Sequence, residues 1–160
     1  AWYTALHSKE TPTALILSRQ NLPALEGTGK DALKGAYVLK DCAGTPDVLL
    51  MASGSEVELI YKAADELAAK GVKARVISMP CWEVFEAQDA AYKESVLPKN
   101  VRARLAVEAA ADFGWQRYTG LDGDIICMNG FGASAPAGLL FKDFGFTVEN
   151  VVEKALALVK

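Results

Sequence analysis

Arg19 is the residue with the plainest chemical use. It stands at the polar end of the apolar segment 13–18 (TALILS), followed by Gln20 and Asn21. A guanidinium there can present two parallel N–H donors to a phosphate or a carboxylate, and a surface salt bridge would use it equally well. Ser53-Gly54-Ser55 separates an apolar run from a helical pattern. Backbone N–H groups and the helix dipole can hold an anion at such a place, although simple capping of the helix accounts for the same residues. Gly27-Thr28-Gly29-Lys30-Asp31-Ala32 spells the GxGxxA turn of dinucleotide sites. No strand ends just before it and Gly35 interrupts any following helix, so the context points to a flexible linker. The Walker pattern fails as well, because Asp31 follows Lys30.

Nucleophilic catalysis finds little support. The loop 129–136 (NGFGASAP) contains Ser134, but Ala135-Pro136 replaces the end of a GxSxG elbow. His7 is the only histidine, it lies far away in sequence, and no acidic partner is signalled, so a Ser/His/Asp triad is not expected. Cys81, after Met79-Pro80, suits either a low-pKa thiol at a helix start or a buried apolar residue beside Trp82, and the burial habit of free cysteine favours the second. No cluster of His, Cys or carboxylates has metal-ligand spacing.

The elements that would position these residues follow from period and punctuation. Residues 13–18 read as a strand, and 23–35 carry Pro, several Gly and alternating charge without period, which marks a domain boundary. Short strands are expected at 37–39 and 47–52. Ser55 with Glu58 forms a capping box for a helix whose Val57, Ile60, Tyr61, Ala64, Leu67 and Ala68 share one face, with Gly71 at its C-terminal end. A strand at 72–78 completes a βαβ unit, which requires parallel pairing and a right-handed crossover. Helical pieces at 82–94, strands at 104–108 and 124–128, and a last helix capped by Thr147 repeat the pattern. The fold class is therefore α/β: a three-layer sandwich with a mostly parallel sheet of about five strands.

Composition sets the outer limits. The chain has 160 residues, 51% of them apolar, and a formal charge of −3. That supports one main compact domain. The absence of a Lys/Arg-rich stretch argues against nucleic acid as a partner. Apolar runs of a few residues fall far short of the roughly 20 needed to span a bilayer, so no membrane role is expected. Cys42, Cys81 and Cys127 are an odd set without CxxC, as in reduced thiols of a cytoplasmic protein. With Ala1 in place of an initiator Met, and no secretion-signal layout, the chain reads as a piece of something longer.

Taken together, Ser18-Arg19-Gln20-Asn21-Leu22-Pro23, the segment 52–57 (ASGSEV), 76–80 (VISMP), 130–136 (GFGASAP) and 144–151 (FGFTVENV) resemble, in order, segments of the transketolase family. The resemblance spans the chain. It implies that 1–28 are the tail of a pyrimidine-binding domain, 29–35 a linker, and 36–160 a C-terminal domain with one antiparallel strand, for which the short strand at Tyr37 is the candidate. It implies a parent homodimer that moves a two-carbon ketol unit between sugar phosphates with thiamine diphosphate and a divalent cation, Mg or Ca. Arg19 stands where the family's motif grips the sugar phosphate. The family's cofactor and catalytic motifs are not found in these residues, so no catalytic, cofactor-binding or metal residue is assigned, no bound cofactor is expected, and the fragment is expected to be inactive alone. Two alternatives stay open: a non-catalytic module binding a small anion at 53–55 or the Gly130 loop, and a piece of a related thiamine diphosphate enzyme.

Overall fold

The computed structural model describes residues 1–159. Its centre is a five-stranded sheet in the order β1-β3-β2-β4-β5, made of β1 (Tyr37–Lys40), β2 (Val48–Ala52), β3 (Ala74–Ser78), β4 (Arg104–Val107) and β5 (Asp124–Ile126). β2 pairs in parallel with both β3 and β4, and β4 in parallel with β5. β1 alone runs antiparallel, along β3, and is the strand expected to do so. The central strand reads VLLMA and is buried at all five positions, because both faces of the sheet are covered.

Strand alternation divides the core in two. Val48, Leu50 and Ala52 of β2 face α2 (Glu56–Ala69) and α7 (Val148–Leu158), where Ile60, Leu67, Val151 and Ala155 meet them. Leu49 and Met51 face the other layer, built from α3 (Trp82–Glu86), α4 (Ala90–Val96) and α5 (Gln116–Thr119), with Phe85, Val96 and Trp115 at its centre. This is the expected three-layer α/β arrangement. Two further helices lie outside it: α1 (Trp2–His7) near the start of the chain and α6 (Ala137–Asp143) before α7.

Local signals explain most boundaries. Thr147 caps α7 by accepting from the Asn150 N–H at 3.2 Å, and Asp89 caps α4 by accepting from the Tyr92 N–H at 2.7 Å. Gly71 follows α2 with φ +80°, and the Val72 N–H returns to the Leu67 carbonyl at 2.9 Å, closing the helix as expected. The expected capping box does not form. Ser55 has helical dihedrals, its hydroxyl donates to Glu56 instead, and Glu58 pairs with Lys62.

Two other expectations change. Segment 13–18 is almost wholly exposed and lies in no helix or strand, because no strand among the described residues pairs with it. The stretch around Gly27-Ala32 is not a loose tether. Residues Lys30–Lys34 form a 3-10 turn, and a Cβ on Gly27 (φ +91°) would sit 2.2 Å from the Leu39 carbonyl oxygen. Gly35 (φ +84°) is packed as closely, 2.3 Å from the Cys81 carbonyl oxygen by the same measure.

Candidate functional site

The order of the strands locates the site. The chain leaves β2 through α2 on one face and returns to β3, whereas it leaves β4 through α5 on the other face and returns to β5. Because β2 and β4 are neighbours, their following connections diverge, and a crevice opens at their carboxyl ends. In open α/β sheets this switch point is where ligands are held.

Ser53 follows β2 and Glu108 follows β4, so the register that pairs Ala52 with Val107 also brings these two together. The Ser53 hydroxyl donates to Glu108 Oε2 at 2.6 Å. The Glu108 N–H donates to the Ile126 carbonyl at 2.9 Å, which extends the β4–β5 pairing by one residue and fixes the glutamate. Glu56, the first residue of α2, is only 3% exposed and its carboxyl lies close enough to Glu108 for its charge to be felt there. Burial pushes the Glu108 carboxyl up to about 7; the Ser53 hydroxyl pulls against this, and the neighbouring Glu56 charge adds to it.

A cavity of about 580 Å³ opens over this pair. Its polar lining includes Ser53, Glu56 and Glu108; Leu15, Leu33 and Val84 supply apolar wall. Segment 13–18 forms one side of it. A smaller recess of about 230 Å³, lined by Leu22, Leu25, Gly54 and Ser55, lies on the other side of the same turn. The polypeptide thus passes across the Ser53-Gly54-Ser55 turn between Ser18 and Leu22, and a Cβ on Gly54 would be 3.8 Å from Ser18 Oγ. Arg19 lies in that crossing. It is exposed and, among the described residues, has no ion-pair partner.

The remaining sequence candidates do not join the crevice chemistry. His7 is exposed, stacks on Tyr3 and bonds the Tyr3 carbonyl oxygen through Nδ1 at 2.8 Å, all within α1. Ser134 is exposed in an irregular loop. Cys81 lines the cavity half-buried, and its thiol points at Glu83 Oε2 (3.6 Å) from the start of a helix of five residues. Burial, then Asp41, raises the Cys42 thiol; burial, then Asp112 and Asp124, raises Cys127, so both stay protonated at neutral pH. The stretch 27–32 has no strand before it and so forms no dinucleotide turn.

An anion at Ser53–Ser55 is disfavoured by the same geometry, because two carboxyl groups already occupy the start of α2. Thiamine diphosphate does not fit there for this reason. Among the described residues no group of three His, Cys, Asp or Glu side chains could hold a metal ion for it. Glu56 and Glu108 were not singled out by spacing. Their signal is an acid placed just after the apolar end of a strand, as Glu108 follows RLAV, or just after the following turn, as Glu56 follows VLLMA and Ser53–Ser55.

Residues 35–147 match the family described as transketolase-like, TK C-terminal domain. The chain belongs to the transketolase family. It is 56% identical to transketolase 1 of Escherichia coli (strain K12) over 162 residues, covering 99% of this chain and 24% of that one. Identity is 52% over 164 residues to the transketolase of Halalkalibacterium halodurans, covering 100% of this chain and 25% of that one. The solved transketolase from Leishmania mexicana superposes with a TM-score of 0.92 at 44% identity, over 99% of this chain and 23% of that chain. The chain therefore spans about a quarter of the length of these transketolases. Arg19 precedes the domain match but lies inside the stretch these relatives share. No helix among the described residues is long and apolar enough to cross a membrane.

Proposed function

We propose that this chain is the C-terminal part of a thiamine diphosphate-dependent transketolase. Residues 1–28 are the tail of its pyrimidine-binding domain, 29–35 the connection, and 36–160 its C-terminal domain. The whole enzyme transfers a two-carbon ketol unit from a ketose phosphate to an aldose phosphate in the pentose phosphate pathway, as a cytoplasmic homodimer that uses Mg or Ca with the coenzyme. The rest of the chain and the second subunit are its partners.

The observation that carries this reading is a shared stretch that runs through Arg19, whose guanidinium is exposed and without a carboxylate partner among the described residues. An arginine so placed has its parallel donors free for a dianionic phosphate and fixes the end of the substrate remote from the reacting carbons. Thiamine chemistry needs groups that hold the diphosphate and activate the ring together, so the 160-residue chain alone is expected to perform no transfer. The competing reading, a module that binds a small anion at Ser53–Ser55, is disfavoured by Glu56 and Glu108.

In the full-length enzyme, Arg19→Ala raises KM for a ketose phosphate by about ten- to a hundredfold and leaves an unphosphorylated ketol donor nearly unaffected. Equal effects on both donors, or ketol transfer by the purified 160-residue chain with coenzyme and magnesium, would overturn the proposal.

A further inference from the structure

We infer that segment 25–35 is a strap that closes the outer edge of β1 against strand addition by a second copy of this chain, and that Gly27 is a point at which it is fastened.

β1 ends the sheet, so β3 satisfies only one of its edges. The register between the two strands slips by one residue between Val38 and Lys40, which leaves Leu39 without a partner on β3. Leu39 meets Gly27 instead. A Cβ on Gly27 would fall 2.2 Å from the Leu39 carbonyl oxygen and 3.3 Å from the carbonyl carbon. Strand carbonyls lie in the plane of the sheet, so this contact is made at the edge of β1 and not on its face. Glycine suits the position on two counts, because φ is +91° and a side chain would strike backbone.

The rest of the segment holds this course. Leu25 and Ala32 pack against the core on the α2 side of the sheet. Gly35 lies against the start of α3 on the opposite side, where its carbonyl accepts from the Cys81 N–H at 2.9 Å. Lys34 Nζ sits 4.4 Å above the Tyr92 ring, and the Tyr92 hydroxyl donates to the Ala36 carbonyl at 2.8 Å. The segment therefore passes round β1 from one helical layer to the other and is fastened to both.

The strand it covers is complementary to itself. β1 reads YVLK. Two copies laid antiparallel set Tyr37 against Lys40 and Val38 against Leu39, so no like charges meet, and a two-fold pairing of this kind needs no other partner. An open apolar edge strand joins another edge unless something blocks it.

The test uses the full-length enzyme and reads amide exchange at 37–40 together with solution mass by light scattering, over about a hundredfold range of protein concentration. Gly27→Ala is expected to speed exchange at 37–40 by about tenfold or more and to leave 48–52 as protected as before. At the higher concentrations it is expected to yield species larger than the unsubstituted enzyme, in which 37–40 is protected again. Gly29→Ala is the control, since φ there is −173° and nothing lies within 4 Å; it should match the unsubstituted enzyme in both readings. Leu25→Ala loosens the strap without a backbone clash, and keeps the test decisive if Gly27→Ala does not fold; it should produce the same changes to a smaller extent. Unchanged exchange at 37–40 in both variants, loss of protection at 48–52 in step with 37–40, faster exchange at 37–40 with no growth in mass, or the same behaviour in Gly29→Ala would overturn the inference.

Discussion

Ser53 and Glu108 terminate neighbouring parallel strands, and their side chains meet at 2.6 Å where the two following connections depart on opposite faces of the sheet. Neither residue touches the other's segment in sequence. The parallel register of β2 and β4 is what brings them together, so the hydrogen bond reports on correct pairing at the centre of the sheet.

Glu108 makes stability depend on pH in a direction opposite to that of most carboxylates. Burial first, and the contact with Glu56, raise its carboxyl from 4.5 to about 7. The folded state therefore binds more protons than the unfolded chain between these values. The stability this group contributes is complete below its unfolded pKa and is lost as pH rises through about 7. Thermal melts of the 160-residue chain should show Tm falling across that window, and Glu108→Gln should flatten the fall. Asp124 acts in the opposite sense. Burial raises its carboxyl, but Lys154 and the Ile125 N–H outweigh this and leave it lowered, so its contribution is lost only as the solution becomes acidic.

Arg104, at the start of β4, serves structure and not ligand binding. Its half-buried guanidinium donates to the carbonyls of Val101, Tyr118 and Pro98, each at 2.9 Å, and so ties the loop before β4 to the end of α5. Arg104→Ala leaves these acceptors without their donor and should cost about 2–4 kcal/mol in urea unfolding. Arg104→Lys should recover only part, because one ammonium cannot reproduce the fork.

Gly35 and Gly71 separate two costs of adding a methyl group. Both have φ near +80°, but a Cβ on Gly35 would be 2.3 Å from the Cys81 carbonyl oxygen and 2.3 Å from the Phe85 nitrogen, whereas nothing lies within 4 Å at Gly71. Gly71→Ala should therefore cost only the left-handed backbone penalty, about 1 kcal/mol. Gly35→Ala adds a backbone clash that no side-chain rotation relieves, and should cost about 3 kcal/mol or more. Paired denaturation curves compare them directly.

The sheet was legible because its strands are short apolar runs separated by a capped, periodic helix: VLLMA, RLAV and the α2 stripe each carry their own signal. The resemblance at residues 18–23 likewise singled out Arg19. The carboxyl pair was not legible. Glu56 is adjacent to an apparent cap, and Glu108 ends a strand, so each reads locally as a solvated polar residue; only the long-range β2–β4 pairing brings the buried Glu56 and the half-buried Glu108 together. The same logic explains the missed cap. Ser55 had the right spacing to Glu58, but Glu56 lies closer to its hydroxyl and takes the hydrogen bond. Segment 13–18 shows the converse. Its apolar pattern is a strand's, yet a strand needs a neighbour, and these residues offer none.

That last difference makes a sharp prediction for hydrogen exchange. The amides of Val48–Ala52 lie between two parallel neighbours and are fully buried, so they should exchange only through unfolding of the sheet. The amides of 13–18 have no backbone partner among the described residues, although Ile16 is 93% exposed and Leu17 70%. In the monomeric 160-residue chain they should exchange at nearly the rate of an unstructured peptide. Such an apolar, unpaired segment is also the place where two copies would join edge to edge. Protection of 13–18 that grows with protein concentration would show that kind of pairing. Protection equal to that of β2 at low concentration would mean that the segment has found a partner within the chain.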